Sequence, residues 1–241
     1  MGDRVHVGTS GWTYDDWNGP FYPKGVRGSD RLAFYAERFD TVEVNATFYR
    51  PPTATMIAAW NRHLPRGYHL VLKGPRRVTH LAKLNDCESA VKAFLDRAAQ
   101  LESLRCVLWQ LPPQLHRDLP RLEAFLDLLP ARPRHAIEFR HPSWFDDAVA
   151  ARLAEREVAF VAVSHPALPP TVYPTTDLLY LRFHGTGARL YDHDYSQQAL
   201  AGWVGRLTPH LEGRTLYAFF NNDVACRAPK NAAAFRAMLG A

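Results

Sequence analysis

The chain has 241 residues, 47% hydrophobic and 22% charged, with a formal net charge of +5 and a pI near 9.2. This length allows a sizeable buried core, and we expect one domain spanning residues 1–241. No apolar run approaches the roughly 20 residues of a membrane-spanning helix, and the N-terminal sequence lacks the features of a signal peptide. We therefore expect a soluble, cytoplasmic protein with no membrane partner.

The cysteines indicate neither disulfides nor a zinc site, and the basic residues form no dense cluster. Cys87, Cys106 and Cys226 are odd in number and widely spaced, which predicts reduced, buried thiols rather than a disulfide framework or a zinc site. Basic residues are scattered, and Arg76-Arg77 is their only adjacent pair. The modest positive charge favours an anionic partner, with nucleic acid as an alternative.

Short apolar segments alternate with one-sided helical patterns along the chain. Eight strands are predicted, at Val5–Gly8, Thr41–Val44, His69–Lys73, Val107–Leu111, His135–Phe139, Ala159–Val163, Leu179–Phe183 and Leu216–Phe220. Helical spacing of apolar residues falls within 32–39, 56–64, 91–98, 122–129, 203–211 and 232–239. Asp30, Thr53 and Asp118 stand where N-caps belong.

Strands that alternate with one-sided helices predict a TIM-type (β/α)8 barrel. Ser164–Pro174 contains too many prolines for a helix, so the helix after the sixth strand should be irregular or missing. The loop Thr9–Ser29 after the first strand is unusually long, and its aromatic residues suggest a functional loop.

Alternation along a barrel strand separates residues that face the helices from residues that face the lumen. The predicted helix-facing set is almost entirely apolar, whereas the lumen set ends in polar residues in nearly every strand. In the sixth strand, alternation assigns Val161 and Val163 to the helices and Ala162 and Ser164 to the lumen.

Polar residues are therefore predicted to surround the barrel opening where the carboxyl ends of the strands meet. This ring comprises Ser10, Asn45, Lys73, Gln110, Arg140, His184 and Asn221 or Asn222. Glu43, Glu138 and Arg182 are placed one layer below or at the edge. Glu43 is tolerable in the lumen because Lys73 or Arg182 can pair with it.

Seven motifs occur in order from Gly8 towards the C-terminal helix: GTSGWTYDDW, VEVNATFYRPP, LKGPRRVTH, QLPP, EFRHPSW, YLRFHG and FNN. Together they resemble the YecE-like family, the domain of unknown function 72. The resemblance implies a TIM-type barrel and no assigned activity, so it transfers no catalytic residue. Gly74-Pro75 departs from it and predicts a looser backbone after Lys73.

Glu43 and Glu138 should face one another across the lumen. Paired carboxylates suit acid–base or hydrolytic chemistry, and together with His184 they are the candidate catalytic residues. The alternative is purely structural ion pairs, Glu43 with Lys73 and Glu138 with Arg140 or Arg182. The excess of cations favours an anionic or sugar-containing substrate. A Schiff base at Lys73 is a further, unfavoured alternative.

The candidate substrate-binding residues are the remaining polar ring and neighbouring loop residues. They are Ser10, Trp12, Asn45, Tyr49, Arg50, Lys73, His80, Gln110, Arg140, His141, Trp144, Arg182, Asn221 and Asn222. The rim aromatics, Trp12, Tyr14, Trp17, Phe48, Tyr49, Trp144 and Tyr191, could stack on a ligand, although at least half of them should be packing anchors.

The sequence identifies no cofactor. His80, His141 and His184 could ligate a divalent metal with the glutamates, but H-x-H and H-E-x-x-H are absent, so hydrogen-bonded histidines are favoured and no metal ligand is assigned. Nucleotide-cofactor motifs are also absent.

Three hypotheses follow. The first is a barrel enzyme, a hydrolase or isomerase, acting on a small polar substrate. The second is a nucleic-acid-binding or processing protein that uses the basic, aromatic-rimmed opening. The third is a ligand sensor without turnover. The sequence determines neither the substrate nor the oligomeric state.

Overall fold

The chain forms an eight-stranded parallel barrel surrounded by helices. The structure is a computed structural model that describes residues 4–28, 30–187 and 190–241. Its strands are β1 Val5–Thr9, β2 Thr41–Val44, β3 His69–Lys73, β4 Leu104–Gln110, β5 Arg134–Glu138, β6 Val158–Ser164, β7 Leu178–Phe183 and β8 Thr215–Phe220. All eight predicted strands are confirmed, with only small shifts at their ends.

The strand order is β1-β8-β7-β6-β5-β4-β3-β2, and every pair is parallel. The two outermost strands of this order meet at a bridge between Ser10 and Glu43, where the Gly11 N–H donates to the Glu43 carbonyl at 2.7 Å. The predicted TIM-type barrel is therefore confirmed, with its closure at the β1–β2 seam.

Tyr35 occupies the β1–β2 seam from helix α1 (Asp30–Ala36). Its hydroxyl accepts a hydrogen bond from the Thr9 N–H at 2.9 Å and donates to the Thr41 carbonyl at 3.3 Å. A Cβ at Gly8 would lie 2.3 Å from the same carbonyl oxygen, so the close approach of the strands requires glycine there. The tyrosine hydroxyl thus supplies hydrogen bonds between β1 and β2 at a place where the two strands do not bond to each other directly.

The remaining α-helices are α2 Ala46–Tyr49, α3 Ala54–His63, α4 Glu88–Ala98, α5 Leu119–Leu126, α6 Asp147–Glu155, α7 Gln197–Leu207 and α8 Arg227–Met238. Shorter turns are the π-helix Arg77–Leu81 and the 3-10 helices Asp15–Trp17, Pro142–Trp144, Thr208–His210 and Val224–Cys226. The helical patterns did not predict α2, which is very short, or α6, in which Val149 and Leu153 are the large apolar residues.

The predicted N-caps are partly confirmed. The Thr53 hydroxyl accepts from the Met56 N–H, and the Asp118 carboxylate accepts from the Arg121 N–H. Asp30 is instead the first helical residue of α1. Residues 165–177, all of them described, contain no helix, which confirms the missing helix after β6. In the described ranges, no helix has the length and apolar composition that a bilayer crossing needs.

The predicted orientation of β6 is wrong. Val161 and Val163 lie in the lumen beside Val71 and Leu108, whereas Ala162 packs in the outer core between sheet and helices. Alternation gave the wrong assignment because the one polar residue of this strand, Ser164, lies on the outer face, where its hydroxyl accepts from the buried Tyr195 hydroxyl at 2.9 Å. In the other strands the predicted helix-facing residues do lie in the outer core or are buried against it.

Part of the long loop after β1 packs into the outer core. Trp17 and Tyr22 are fully buried and pack with Phe21 against the outer core. Their rings anchor the loop against α1. All three cysteines are free and buried, in agreement with their spacing.

Replacing Tyr35 with phenylalanine should lower the free energy of unfolding by about 1–3 kcal/mol, because the buried Thr9 N–H loses its acceptor. Chemical denaturation measures this change. Tyr49→Phe is the matched control at an exposed ring, with an expected change within about 0.5 kcal/mol. A Tyr35→Phe effect no larger than that of the control would show that the hydroxyl does not stabilise the seam.

Candidate functional site

Arg182 of β7 lies at the centre of a buried charge cluster. Its Nη2 is 2.6 Å from Oε1 of Glu43, and its Nη1 is 2.5 Å from Oε2 of Glu138. All three side chains are completely buried. Arg182, rather than Lys73, is therefore the ion-pair partner of Glu43, which resolves the alternative that the sequence left open.

Glu138 ends β5 and is surrounded by donors. Its Oε1 accepts from Gln110 at 3.0 Å, from Arg140 at 2.9 Å and from His184 at 3.0 Å. Burial alone would raise the pKa of Glu138, but the charge of Arg182, supported by His184 and Arg140, holds it well below its usual range. Glu138 therefore stays ionised at neutral pH.

Glu43 accepts hydrogen bonds from two hydroxyl groups in addition to its ion pair. The Ser10 hydroxyl donates to Oε1 at 2.7 Å, and the Tyr180 hydroxyl donates to Oε2 at 2.5 Å. Burial and the charge of Glu43 raise the pKa of Tyr180, so the phenol keeps its proton. Tyr180 was not among the predicted site residues, although its lumen position two residues before Arg182 was the available signal.

His184 is uncharged at neutral pH. Burial lowers its pKa to about 3, despite the neighbouring Glu138. The Asn221 amide lies 3.3 Å from Nδ1, and Nε2 faces the Glu138 carboxylate. Nδ1 therefore accepts and the proton resides on Nε2. In this arrangement the neutral imidazole donates a hydrogen bond to Glu138 and orients its carboxylate.

Five side chains above this cluster keep partial contact with solvent, and we call them the mouth: Asn45, Lys73, Gln110, Arg140 and Asn221. The Lys73 ammonium lies 4.4 Å from the centre of the Phe48 ring. Burial, followed by the charge of Arg182, lowers the pKa of Lys73 to about 7. A ligand arriving from solvent would meet these groups before the buried carboxylates.

His80 lies on the rim next to Lys73. Its ring meets the Phe48 ring edge to face at 4.9 Å, and its Nδ1 is 2.9 Å from the Thr79 hydroxyl. Burial and the Lys73 charge lower its pKa to about 4, so it is neutral at physiological pH.

Two of the predicted site residues, Trp144 and Asn222, make contacts outside the charge cluster. Trp144 is buried, stacks on Phe139 at 4.6 Å and donates to the Leu115 carbonyl. Asn222 points away from the lumen and donates to the His193 carbonyl and the Asn231 side chain, both at 2.7 Å. Because adjacent strand residues face opposite sides, the lumen position belongs to Asn221.

The remaining predicted residues lie towards the rim. Trp12 packs edge to face against Trp60 of α3. His141 caps the 3-10 helix Pro142–Trp144 and stacks on another histidine ring at 3.9 Å. Tyr49 and Arg50 are exposed, the former by 74%. The structure does not bring these residues into the charge cluster.

His165 is a neighbour of the cluster that the sequence did not predict. Its ring centre is 6.2 Å from that of His184, and burial followed by the Arg140 charge lowers its pKa. The incorrect orientation of β6 concealed it, since the correct alternation Val161, Val163, His165 faces the lumen. Across the residues that the structure describes, no three His, Cys, Asp or Glu side chains converge as a metal-ligand group.

The fold and this cluster define a (β/α)8-barrel protein whose charged residues gather where the barrel strands end. The family model described as "Protein of unknown function DUF72" matches residues 6–241. The chain belongs to this family, which confirms the resemblance found in its motifs.

Curated relatives and solved structures agree with this assignment. The chain is 33% identical over 144 residues to UPF0759 protein YecE of Escherichia coli K12, which covers 58% of this chain and 50% of YecE. The match thus spans half the length of that relative. UPF0759 protein YunF of Bacillus subtilis is 24% identical over 263 residues, covering 94% of this chain and 92% of YunF.

Two DUF72 family proteins of known structure share the fold. The protein from Thermotoga maritima has a TM-score of 0.88 at 30% identity, covering 98% of this chain and 99% of its own. The protein from Enterococcus faecalis has a TM-score of 0.80 at 21% identity, with 98% of both chains covered. The names of these relatives state no activity.

The free energy of unfolding should fall as the pH drops below about 6.5. His184 and His135 have folded pKa values of about 3 and about 4 because they are buried. As the pH falls, the imidazoles of the unfolded chain bind protons at a higher pH than those of the folded protein. The stabilisation is therefore complete above about pH 6.5 and is lost as the pH falls towards the folded pKa values. Below about pH 4.5, protonation of Glu138 in the unfolded chain adds a further loss.

Urea denaturation at several pH values measures this slope. His184→Gln removes one titrating group and should reduce the slope by up to about 1.4 kcal/mol per pH unit within this window. His116→Gln, at an exposed position, controls for the loss of an imidazole as such. Equal slopes for the wild type and His184→Gln would contradict a neutral buried imidazole.

Proposed function

We propose that the protein is an enzyme that performs acid–base chemistry, hydrolysis included, on a small anionic or sugar-containing substrate bound at the mouth. The observation that carries this proposal is the Glu43–Arg182–Glu138 cluster at the carboxyl ends of the strands. Barrel enzymes place their catalytic groups at this end.

The energetic cost of the cluster supports a functional role. Burying charges costs free energy of solvation, and a well-packed apolar filling is often neutral or more stable. Other lumen positions of this barrel have such a filling, with Val71, Leu108 and Val161 among its side chains. The charge cluster takes the place of an apolar filling at the end where a ligand can enter.

The charge of the site favours an anion. The charges of Arg182 and Arg140 balance those of the two buried glutamates. When Lys73 is protonated, the site therefore has a net positive charge. The Arg140 side chain is 12% exposed and uses Nη1 for its Glu138 bond, which leaves other guanidinium donors for a ligand. Guanidinium groups bind phosphates and carboxylates through paired hydrogen bonds.

Proton transfer requires a substrate atom within hydrogen-bond reach of a carboxylate. A substrate hydroxyl could take the place of Ser10 at Glu43 or of Gln110 at Glu138. The low pKa of Glu138 suits a base or a stabiliser of positive charge rather than an acid. His184 would contribute as the neutral donor that orients this carboxylate.

Glu43→Gln and Glu138→Gln should each lower turnover by about 10²- to 10⁴-fold, because each amide keeps the shape of the side chain and loses its ionisable group. Steady-state rates measure this once a substrate is found, and thermal unfolding of each variant controls for folding. Glu123→Gln, at a half-exposed glutamate that pairs with Arg152 outside the charge cluster, is the matched control. Full turnover in both buried variants would exclude acid–base chemistry by this pair.

A groove beside the mouth favours the nucleic-acid-binding alternative as a second candidate. It is lined by Tyr49, Leu81, Arg76, Arg77 and Arg97. Tyr49 is 74% exposed and Leu81 is 67% exposed. Exposed rings beside arginines can stack on bases while the cations neutralise phosphates. The groove would then hold a strand along the rim, outside the buried charge cluster.

A thermal-shift screen with phosphorylated sugars, carboxylates and short single-stranded DNA separates the two candidates. A small anion at 100 times its Kd should stabilise the protein by roughly 2.7 kcal/mol. Arg140→Gln should abolish this shift, whereas Arg152→Gln on the outer surface should not. A shift with DNA alone, weakening steeply with salt, would favour the strand-binding candidate and overturn the small-molecule proposal.

A further inference from the structure

Lys73 differs from the other cations of the site because none of the described residues forms an ion pair with it. Arg182 and Arg140 each contact a carboxylate within 3.0 Å. Within the described part of the chain, no carboxylate lies within ion-pair distance of the Lys73 ammonium, which instead lies over the face of Phe48.

The position of Lys73 is fixed by its backbone. The Thr47 hydroxyl donates to the Lys73 carbonyl at 2.7 Å, and the Gly74 N–H donates to the Leu108 carbonyl at 2.8 Å. A Cβ at Gly74 would lie 2.4 Å from the Trp109 ring, so this glycine serves close packing and does not loosen the loop. The amine is thus carried on a rigid strand end.

The surroundings of Lys73 also favour an uncharged amine. Burial, then the positive charge of Arg182, lowers its pKa to about 7, so unprotonated amine is present at neutral pH. Each of the other four lysines, Lys24, Lys83, Lys92 and Lys230, is exposed. An unprotonated, partly exposed amine is a nucleophile.

We infer that Lys73 forms a Schiff base with an anionic aldehyde or ketone that enters the mouth. This inference rests on the proposed function and specifies its substrate class. The Nζ lone pair attacks the carbonyl carbon, the C=O π electrons move to oxygen, and one amine proton transfers to that oxygen. The carbinolamine hydroxyl then takes a proton from solvent and leaves as water, giving the iminium ion.

Neighbouring groups suit both ends of such a substrate. Arg140 provides guanidinium donors for the anionic group, and the Phe48 ring face stabilises the positive iminium nitrogen. The side-chain oxygen of Asn45 is buried without a hydrogen-bond partner among the residues described. It is available to accept from the hydroxyl of the carbinolamine.

Reductive trapping tests this inference on the full chain. Glyoxylate with sodium cyanoborohydride at neutral pH converts a Schiff base into a stable secondary amine, which peptide mass spectrometry locates. Lys73 should be modified at least about tenfold faster than each of the four exposed lysines, because a far larger fraction of its amine is uncharged. Glycolaldehyde, a neutral aldehyde of similar size, should show a smaller preference for Lys73.

Two results would overturn the inference: modification of Lys73 no faster than that of the exposed lysines, or equal preference for both aldehydes. Lys73→Arg keeps a cation but cannot be trapped, so it should lose the fast-reacting site. The thermal shift with small anions and the turnover of the glutamate variants are separate measurements. If those succeed and trapping at Lys73 fails, the Schiff base is wrong and the proposed function stands.

Discussion

The arrangement of the upper barrel depends on one guanidinium group shared by two carboxylates. Glu43 comes from β2 and Glu138 from β5, and Arg182 of β7 contacts both at 2.5–2.6 Å. Without this arginine, two completely buried carboxylates would either remain as uncompensated charges at a high cost in free energy or take up protons. Because Arg182 makes both contacts with different nitrogens, it also fixes the two carboxylates relative to each other. It therefore links three strands that are not neighbours in the sheet.

The surroundings of the charge cluster determine its electrostatics. Apolar side chains such as Val71, Leu108 and Val161 share the lumen with it. They exclude water, so the buried charges interact strongly and are poorly solvated. The same environment has opposite effects on different groups: Glu138 stays ionised because cations surround it, whereas His184 stays neutral because burial dominates. Neither state follows from residue type alone.

Sequence alternation could predict most of this arrangement. It assigned Glu43, Glu138, Arg182 and His184 to the lumen, because polar and apolar residues alternate clearly in those strands. It failed for β6, where the polar Ser164 lies on the outer face and not in the lumen, and consequently missed His165. Three-dimensional distances were also inaccessible, so the choice between Lys73 and Arg182 as the partner of Glu43 stayed open. The aromatic residues in the loops have no periodic spacing in the sequence. Only their burial in the structure showed that Trp17 and Trp144 belong to the core.

The ion pairs of Arg182 also explain the unusual state of Lys73. Both buried glutamates are already neutralised, one by Arg182 alone and the other by Arg182 and Arg140. Lys73 therefore sits close to negative residues without gaining their full attraction, while the charge of Arg182 repels its proton. A lysine paired with Glu43, as the sequence also allowed, would have remained a permanent cation. The interaction that makes the carboxylates tolerable in the barrel is thus the one that makes the neighbouring amine available for chemistry.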